Sequence, residues 1–166
     1  MKKLFAIAIA VGLMSGLYAL NLGLGVAYES VDNDARYLAI KADARVPLFA
    51  MIDVRGELLN VSLAEGGKVI HFGTFTGSDL LIKFPMPSSI KPYLCLGVWF
   101  NKGLEDAPLD FTNLALKAGL GAEMGFGGLN AYLEGGLNKF TWVDGADPAT
   151  DQQIYVQLGA TFPLGM

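Results

Sequence analysis

Cysteine occurs once in these 166 residues, at Cys95, and histidine once, at His71. A lone thiol closes no internal disulfide, and without a CxxC pair or a Cys/His cluster the chain has no metal-ligand spacing either. Charge is scarce as well: 17% of the residues are charged, 16 of them acidic and 12 basic. That balance argues against nucleic acid as a partner, because phosphate binding needs a concentrated basic surface. Beyond residue 19 no charge-free apolar stretch approaches the ~20 residues that cross a bilayer as a helix, which excludes a helical membrane protein. What the chain does have is hydrocarbon and glycine. Hydrophobic residues make up 52% of it, and its 21 glycines stand well above the usual share of roughly 7%. These features suit one domain with many close backbone approaches, without cofactor or metal.

The N-terminus reads as an export signal. Lys2 and Lys3 precede the apolar run Leu4 to Met14, which is followed by the small polar pair Ser15 and Gly16. Cleavage after Ala19 divides the chain into a signal peptide, residues 1–19, and a single domain, residues 20–166. Losing Lys2 and Lys3 takes the formal net charge from −4 to about −6 with His71 neutral.

The domain is a series of alternating segments. In an extended strand successive side chains point to opposite faces. Leu22, Leu24, Val26 and Tyr28 thus oppose Gly23, Gly25, Ala27 and Glu29, and Leu38, Ile40, Ala42 and Ala44 oppose Lys41, Asp43 and Arg45. Ile52, Val54 and Leu58 oppose Asp53, Arg55 and Glu57; Leu94, Leu96 and Val98 oppose Tyr93, Cys95, Gly97 and Trp99. Leu114, Leu116, Ala118 and Leu120 oppose Ala115, Lys117, Gly121 and Glu123. Leu133 and Leu137 oppose Tyr132 and Glu134, and Ile154, Val156 and Leu158 oppose Tyr155 and Gln157. Period-2 alternation repeated this often predicts β structure. An eighth strand is expected over Lys68 to Phe84, where Thr74, Thr76 and Ser78 fall on the apolar parity of Leu80 and Ile82. Either its upper part leaves the apolar environment or a bulge near Gly73 or Gly77 shifts it. Its partner, Phe49 to Ala64, loses its pattern near Asn60, and a protruding hairpin accounts for both.

The connections alternate too. ESVDNDAR, EGG, NKGLEDAPLD and VDGADPATD form one set, mostly polar and acidic; VPLF, PMPSSIKP and FGG form the other. Short turns at one end and longer loops at the other, with an even strand count, predict an all-β fold: an eight-stranded antiparallel up-and-down transmembrane barrel with both termini on the periplasmic side. Full closure leaves no edge strands. Alternation alone does not say which face meets lipid, but composition does. The polar face offers Gly, Ala, Asn, Tyr and Thr around a few charges rather than the long mixed charges of a soluble exterior. Eight strands enclose room only for packed side chains. The glycines therefore belong inside and the Leu, Ile and Val rows outside; an arginine at Leu116 is expected to cost about 2–4 kcal/mol if that position meets the bilayer midplane. Lys41, Asp43, Arg45, Asp53, Arg55, Glu57, Lys117, Glu123 and Glu134 are then expected in a narrow lumen as a mutually neutralising network, because an unpaired charge there is costly. Tyr28, Phe49, Phe84, Phe100, Phe126, Phe140, Trp142 and Phe162 fall near strand ends, where aromatic rings favour the headgroup layers.

The segments IKPYLCLGVWF, LALKAGLGAEMGF, LNAYLEGGLNKFTW and IYVQLGATFPL resemble the small eight-stranded outer membrane β-barrel family that includes OmpX, OmpW and the OmpA membrane domain. IYVQLGATF is similar to the terminal-strand signal read by the outer membrane assembly machinery, with Phe162 in the aromatic place, although here the chain runs on through Pro163 to Met166. The resemblance implies outer membrane lipid and that machinery as partners, in a Gram-negative-type cell envelope. It implies no substrate.

Catalysis finds little footing. HFGT at His71 lacks the neighbouring serine that the barrel deacylases carry, and nothing in the spacing brings Ser62, Ser78 or Glu65 to it. The acids of Asp32 to Asp34 and of Asp144 to Asp151 lack the alternating ligands and closing glutamate of a calcium loop. No catalytic residue is expected. Three functions remain: a structural or interaction barrel presenting acidic loops, a small porin-like channel for small or hydrophobic solutes, and a soluble lipocalin-like binder. The first is favoured, because aqueous channels belong to barrels of about 16–18 strands.

Overall fold

The computed structural model describes residues 20–31, 35–64, 69–100, 113–142 and 150–164. Eight strands follow one another: β1 (Asn21–Val31), β2 (Ala35–Phe49), β3 (Ile52–Ala64), β4 (Val69–Lys83), β5 (Ile90–Phe100), β6 (Asn113–Phe126), β7 (Leu129–Trp142) and β8 (Thr150–Pro163). Each pairs antiparallel with the next, and β1 pairs with β8 from Asn21↔Pro163 to Val31↔Gln153, which closes the sheet into a barrel. Closure satisfies the backbone groups that an open sheet leaves at its edges. The anticipated signal peptide, residues 32–34, 65–68, 101–112 and 143–149, and the side chains of His71, Phe100, Phe140 and Trp142 lie outside the described residues.

At the end that holds the termini the connections are short. Gly127 and Gly128 join β6 to β7 with φ of 49° and 107°; positive φ at both central residues matches the strand twist, and glycine reaches it without a Cβ penalty. The Lys83 N–H donates to the Met51 carbonyl at 2.7 Å and Leu164 N–H to Leu20 carbonyl at 2.8 Å, tying neighbouring strand ends together.

The alternation in the sequence is the alternation of the wall. Leu24, Val26, Leu120, Leu133, Leu137 and Leu158 are exposed on the outside, while Ala27, Tyr93, Cys95, Tyr132 and Tyr155 are buried inside. The interior is tight enough to require glycine. A Cβ on Gly25 would lie 2.7 Å from the Tyr132 hydroxyl, and one on Gly159 would lie 2.6 Å from the same ring.

The irregular pair is β3 and β4. Ala42 pairs with Leu59 and Asp43 with Glu57, so Leu58 is skipped; on its other side Leu59 pairs with Thr74 and Glu57 with Gly77. The inward set of β3 consequently changes parity, from Asp53 and Arg55 to Asn60 and Ser62. Phe75 and Thr76 together oppose that one residue. Phe75 takes φ 54° and turns outward, 77% exposed, while Thr76 is buried. This is the bulge anticipated near Gly77, and it explains why Thr76 shares a parity with Leu80 yet not a face. Among the described residues β4 pairs with β5 only over Gly77–Lys83 but follows β3 up to Val69. The hairpin therefore extends past its β5 neighbour.

Candidate functional site

Among the described residues the lumen holds five cations and seven carboxylates joined by ion pairs. They form three clusters along the barrel. In the cluster nearest the termini, Lys83 Nζ lies 2.6 Å from Asp53 and 2.9 Å from Glu123. Arg45 Nε donates to Asp43 at 3.0 Å, and its Nη1 is 3.9 Å from Glu123. Both terminal nitrogens of Arg45 lack a hydrogen-bond partner, but the guanidinium stacks 4.2 Å from the Tyr132 ring centroid. The ring's negative face substitutes for an acceptor. Tyr132 is itself positioned by Gln157, whose Nε2 donates to the phenol oxygen at 2.7 Å.

The middle cluster centres on Glu134. Its carboxylate accepts from Arg55 Nη2 at 2.8 Å and from the Tyr93 and Tyr155 hydroxyls at 3.0 Å each, and Lys117 Nζ lies 3.1 Å away. Arg55 also reaches Asp79 at 2.6 Å and Cys95 Sγ at 3.4 Å, and Lys117 lies 3.2 Å from Asp79. Two cations thus share two carboxylates, tyrosine hydroxyls fill further lone pairs of Glu134, and Arg55 Nη1 is left without a hydrogen-bond partner. A buried ionic group needs such shared partners, since attraction in a low-dielectric interior offsets desolvation better the more of the other polar positions are satisfied.

The third cluster lies towards the end opposite the termini. Lys41 Nζ is 2.6 Å from Glu29 and 3.8 Å from Glu57. Glu57 also accepts from Thr76 at the bulge and from Trp99 Nε1 at 3.1 Å. Gln153 donates to Glu29 at 3.2 Å, and Asn138 donates to Gln153 at 2.7 Å. Between this cluster and the middle one, Lys41, Asp79, Trp99, Lys117 and Asn138 border a cavity with room for about one water molecule.

All nine charges singled out in the sequence lie within these clusters: Asp43, Arg45, Asp53 and Glu123 in the first; Arg55, Lys117 and Glu134 in the second; Lys41 and Glu57 in the third. Three members were missed. Glu29 points inward near the end of β1 but opens the stretch ESVDNDAR, which reads as loop. Asp79 and Lys83 sit on β4, whose face the bulge conceals. Asp79 holds both middle cations, and its signal was available in the inward parity it shares with Leu81, which is fully buried. Among the described residues the chemistry of the lumen is the pairing of buried cations with buried carboxylates.

No family model and no curated protein matches the chain. Among solved structures it is similar to a protein from the de novo design of transmembrane β-barrels, at 12% identity and TM-score 0.49 over 87% of this chain and 95% of that one. A second design, TMB2.3, solved by solution NMR, gives 15% identity and TM-score 0.48 over 88% and 95%. The outer membrane protein OprG from Pseudomonas aeruginosa gives 10% identity and TM-score 0.40 over 89% and 97%.

Proposed function

We propose that the chain is an integral β-barrel of the outer membrane with a closed, charge-networked lumen, serving as a structural and interaction protein that presents its acidic loops outward. The observation that carries the reading is the inverted distribution of polarity: carboxylates and cations buried within, leucine, isoleucine and valine exposed on the outside of β1, β2 and β4 to β8 and half-buried on β3. In water such a wall would be an apolar surface far larger than the few hundred Å² a soluble monomer tolerates. A soluble lipocalin-like binder has the opposite arrangement.

Dimensions support lipid as the solvent of that wall. On β6 the outward row runs from Leu116 to Phe126, ten residue steps. At about 3.3 Å per residue and a strand tilt of about 40° that is ~25 Å of height, the apolar band of a membrane barrel. Phe49, Phe84, Phe126 and Phe162 are exposed at the end holding the termini, where an aromatic girdle belongs. With that end in the periplasm, the long loops face outward, and β8 carries the assembly signal.

A closed lumen separates this role from that of a channel. Reconstituted in a planar bilayer, the barrel is expected to leave the baseline flat. Steady unitary conductance would instead favour transport of small solutes.

A further inference from the structure

Every carboxylate whose side chain is described points into the lumen, whereas two cations stand on the outer wall: Arg36 on β2 and Lys139 on β7, both exposed. Neither has an ion-pair partner among the described residues. They are not scattered. Arg36 pairs with Ser30 and Ser30 with Ile154; Lys139 pairs with Gln152, the next outward position on β8. Arg36, Ser30, Gln152 and Lys139 therefore form one polar step across four adjacent strands, at the end away from the termini. The two cations are three strand spacings apart, roughly 14 Å. Immediately below the step lies an apolar field, with Tyr28, Leu38, Leu137 and Ile154 all about half exposed. At its β2 side Arg36, Tyr28, Leu38 and Leu63 border an open groove of about 280 Å³.

We propose that this face, β7–β8–β1–β2, is a binding surface for anionic lipid: headgroup phosphates on Arg36 and Lys139, and acyl chains against Tyr28, Leu38, Leu137 and Ile154. The proposal rests on the reading that the wall faces a membrane. Given that, an unpaired cation at the upper limit of an apolar band meets the headgroup layer, where phosphate is the available counter-ion. Guanidinium suits it because its fork can donate two parallel hydrogen bonds to phosphate oxygens. Among the described residues every lumen cation faces a carboxylate, whereas these two outer cations face none, and a lipid phosphate would supply the counter-charge. Near the opposite end of the described wall, at Phe49, Phe84, Phe126 and Phe162, the exposed cation is Lys91, which shares the inward parity of Tyr93 and Cys95 on β5 rather than standing on the outer face, so the preference belongs to one leaflet.

The test is spin-labelled lipid association. Residues 20–166 are refolded into phosphatidylcholine bilayers containing a trace of spin-labelled phosphatidylglycerol or phosphatidylcholine, and the motionally restricted fraction is measured. The wild-type barrel is expected to prefer the anionic probe about fivefold. R36Q with K139Q is expected to bring the ratio close to one, while R36K with K139R retains it. No preference in the wild type, or a preference unchanged in the glutamine double variant, overturns the proposal. Failure of the wild type to insert at all contradicts the membrane reading instead, and the gel mobility of the same samples distinguishes the two.

Discussion

Removing the Glu134 carboxylate is the sharpest perturbation of the lumen. In the variant Glu134→Ala, Arg55 and Lys117 lose acceptors at 2.8 and 3.1 Å, and the hydroxyls of Tyr93 and Tyr155 lose theirs at 3.0 Å. Asp79 is left to serve both cations. The side chains involved are almost fully buried: 0% exposed at Glu134, 3% at Arg55 and 10% at Lys117. Breaking such a pair by deleting one member costs about 3–5 kcal/mol, because the remaining charge stays buried without compensation. At a urea slope of about 2 kcal/mol/M, the unfolding midpoint in detergent micelles should fall by roughly 2 M. Glu134→Gln keeps an acceptor for the tyrosines but not the charge, and should lose less, about 1.5–3 kcal/mol. Lys117→Met combined with Glu134→Leu removes one charge of each sign, leaves the Arg55–Asp79 pair intact, and should recover part of the loss. A change within about 0.5 kcal/mol for Glu134→Ala, the range of an ordinary surface substitution, would refute the reasoning. So would a double variant weaker than the single one.

Further perturbations probe the wall and the turns. The outward row of β6 places Leu120, not Leu116, at mid-height, and Leu116 is level with Lys139; Leu120→Arg should cost about 2–4 kcal/mol and Leu116→Arg clearly less, as equilibrium unfolding into lipid vesicles would show. Equal penalties at both sites would contradict the depth assignment. Gly128→Ala forces an L side chain to a φ of 107° and should destabilise by about 1–3 kcal/mol, read as a lower unfolding midpoint. Gly159→Val drives a side chain against the Tyr132 ring and the Leu24 carbonyl, with an expected loss of about 1–3 kcal/mol by the same measurement.

The barrel was legible in the sequence because a strand with one apolar face advertises its pairing in every second residue. In β6, Leu114 to Met124 reads as hydrocarbon on one parity and as Lys117, Gly121 and Glu123 on the other, and the fold preserves that division. The legibility fails where one residue is inserted. Leu58 is skipped by both neighbours, so the inward charge Glu57 is followed by the inward Asn60, and a pattern reader loses the face at that step. Across the bulge the same shift hid Asp79 and Lys83, two of the twelve lumen charges, although the sequence pointed to irregularity near Gly77. Glu29 escaped differently: it stands on the polar parity of β1 but also opens the connection ESVDNDAR, and nothing in composition marks where a strand stops and a loop begins. The outer-wall pair Arg36 and Lys139 needed the registers themselves, since two residues a hundred positions apart become neighbours on one rim only through β8 and β1.

The most direct test of the central claim is heat modifiability of residues 20–166 refolded into detergent micelles, by gel mobility in SDS with and without boiling, with β content followed by circular dichroism. An apolar wall around an ion-paired lumen predicts that folding requires detergent and that the unboiled band migrates apart from the boiled one. Folding to the same β content in plain buffer, with no mobility shift, would contradict it.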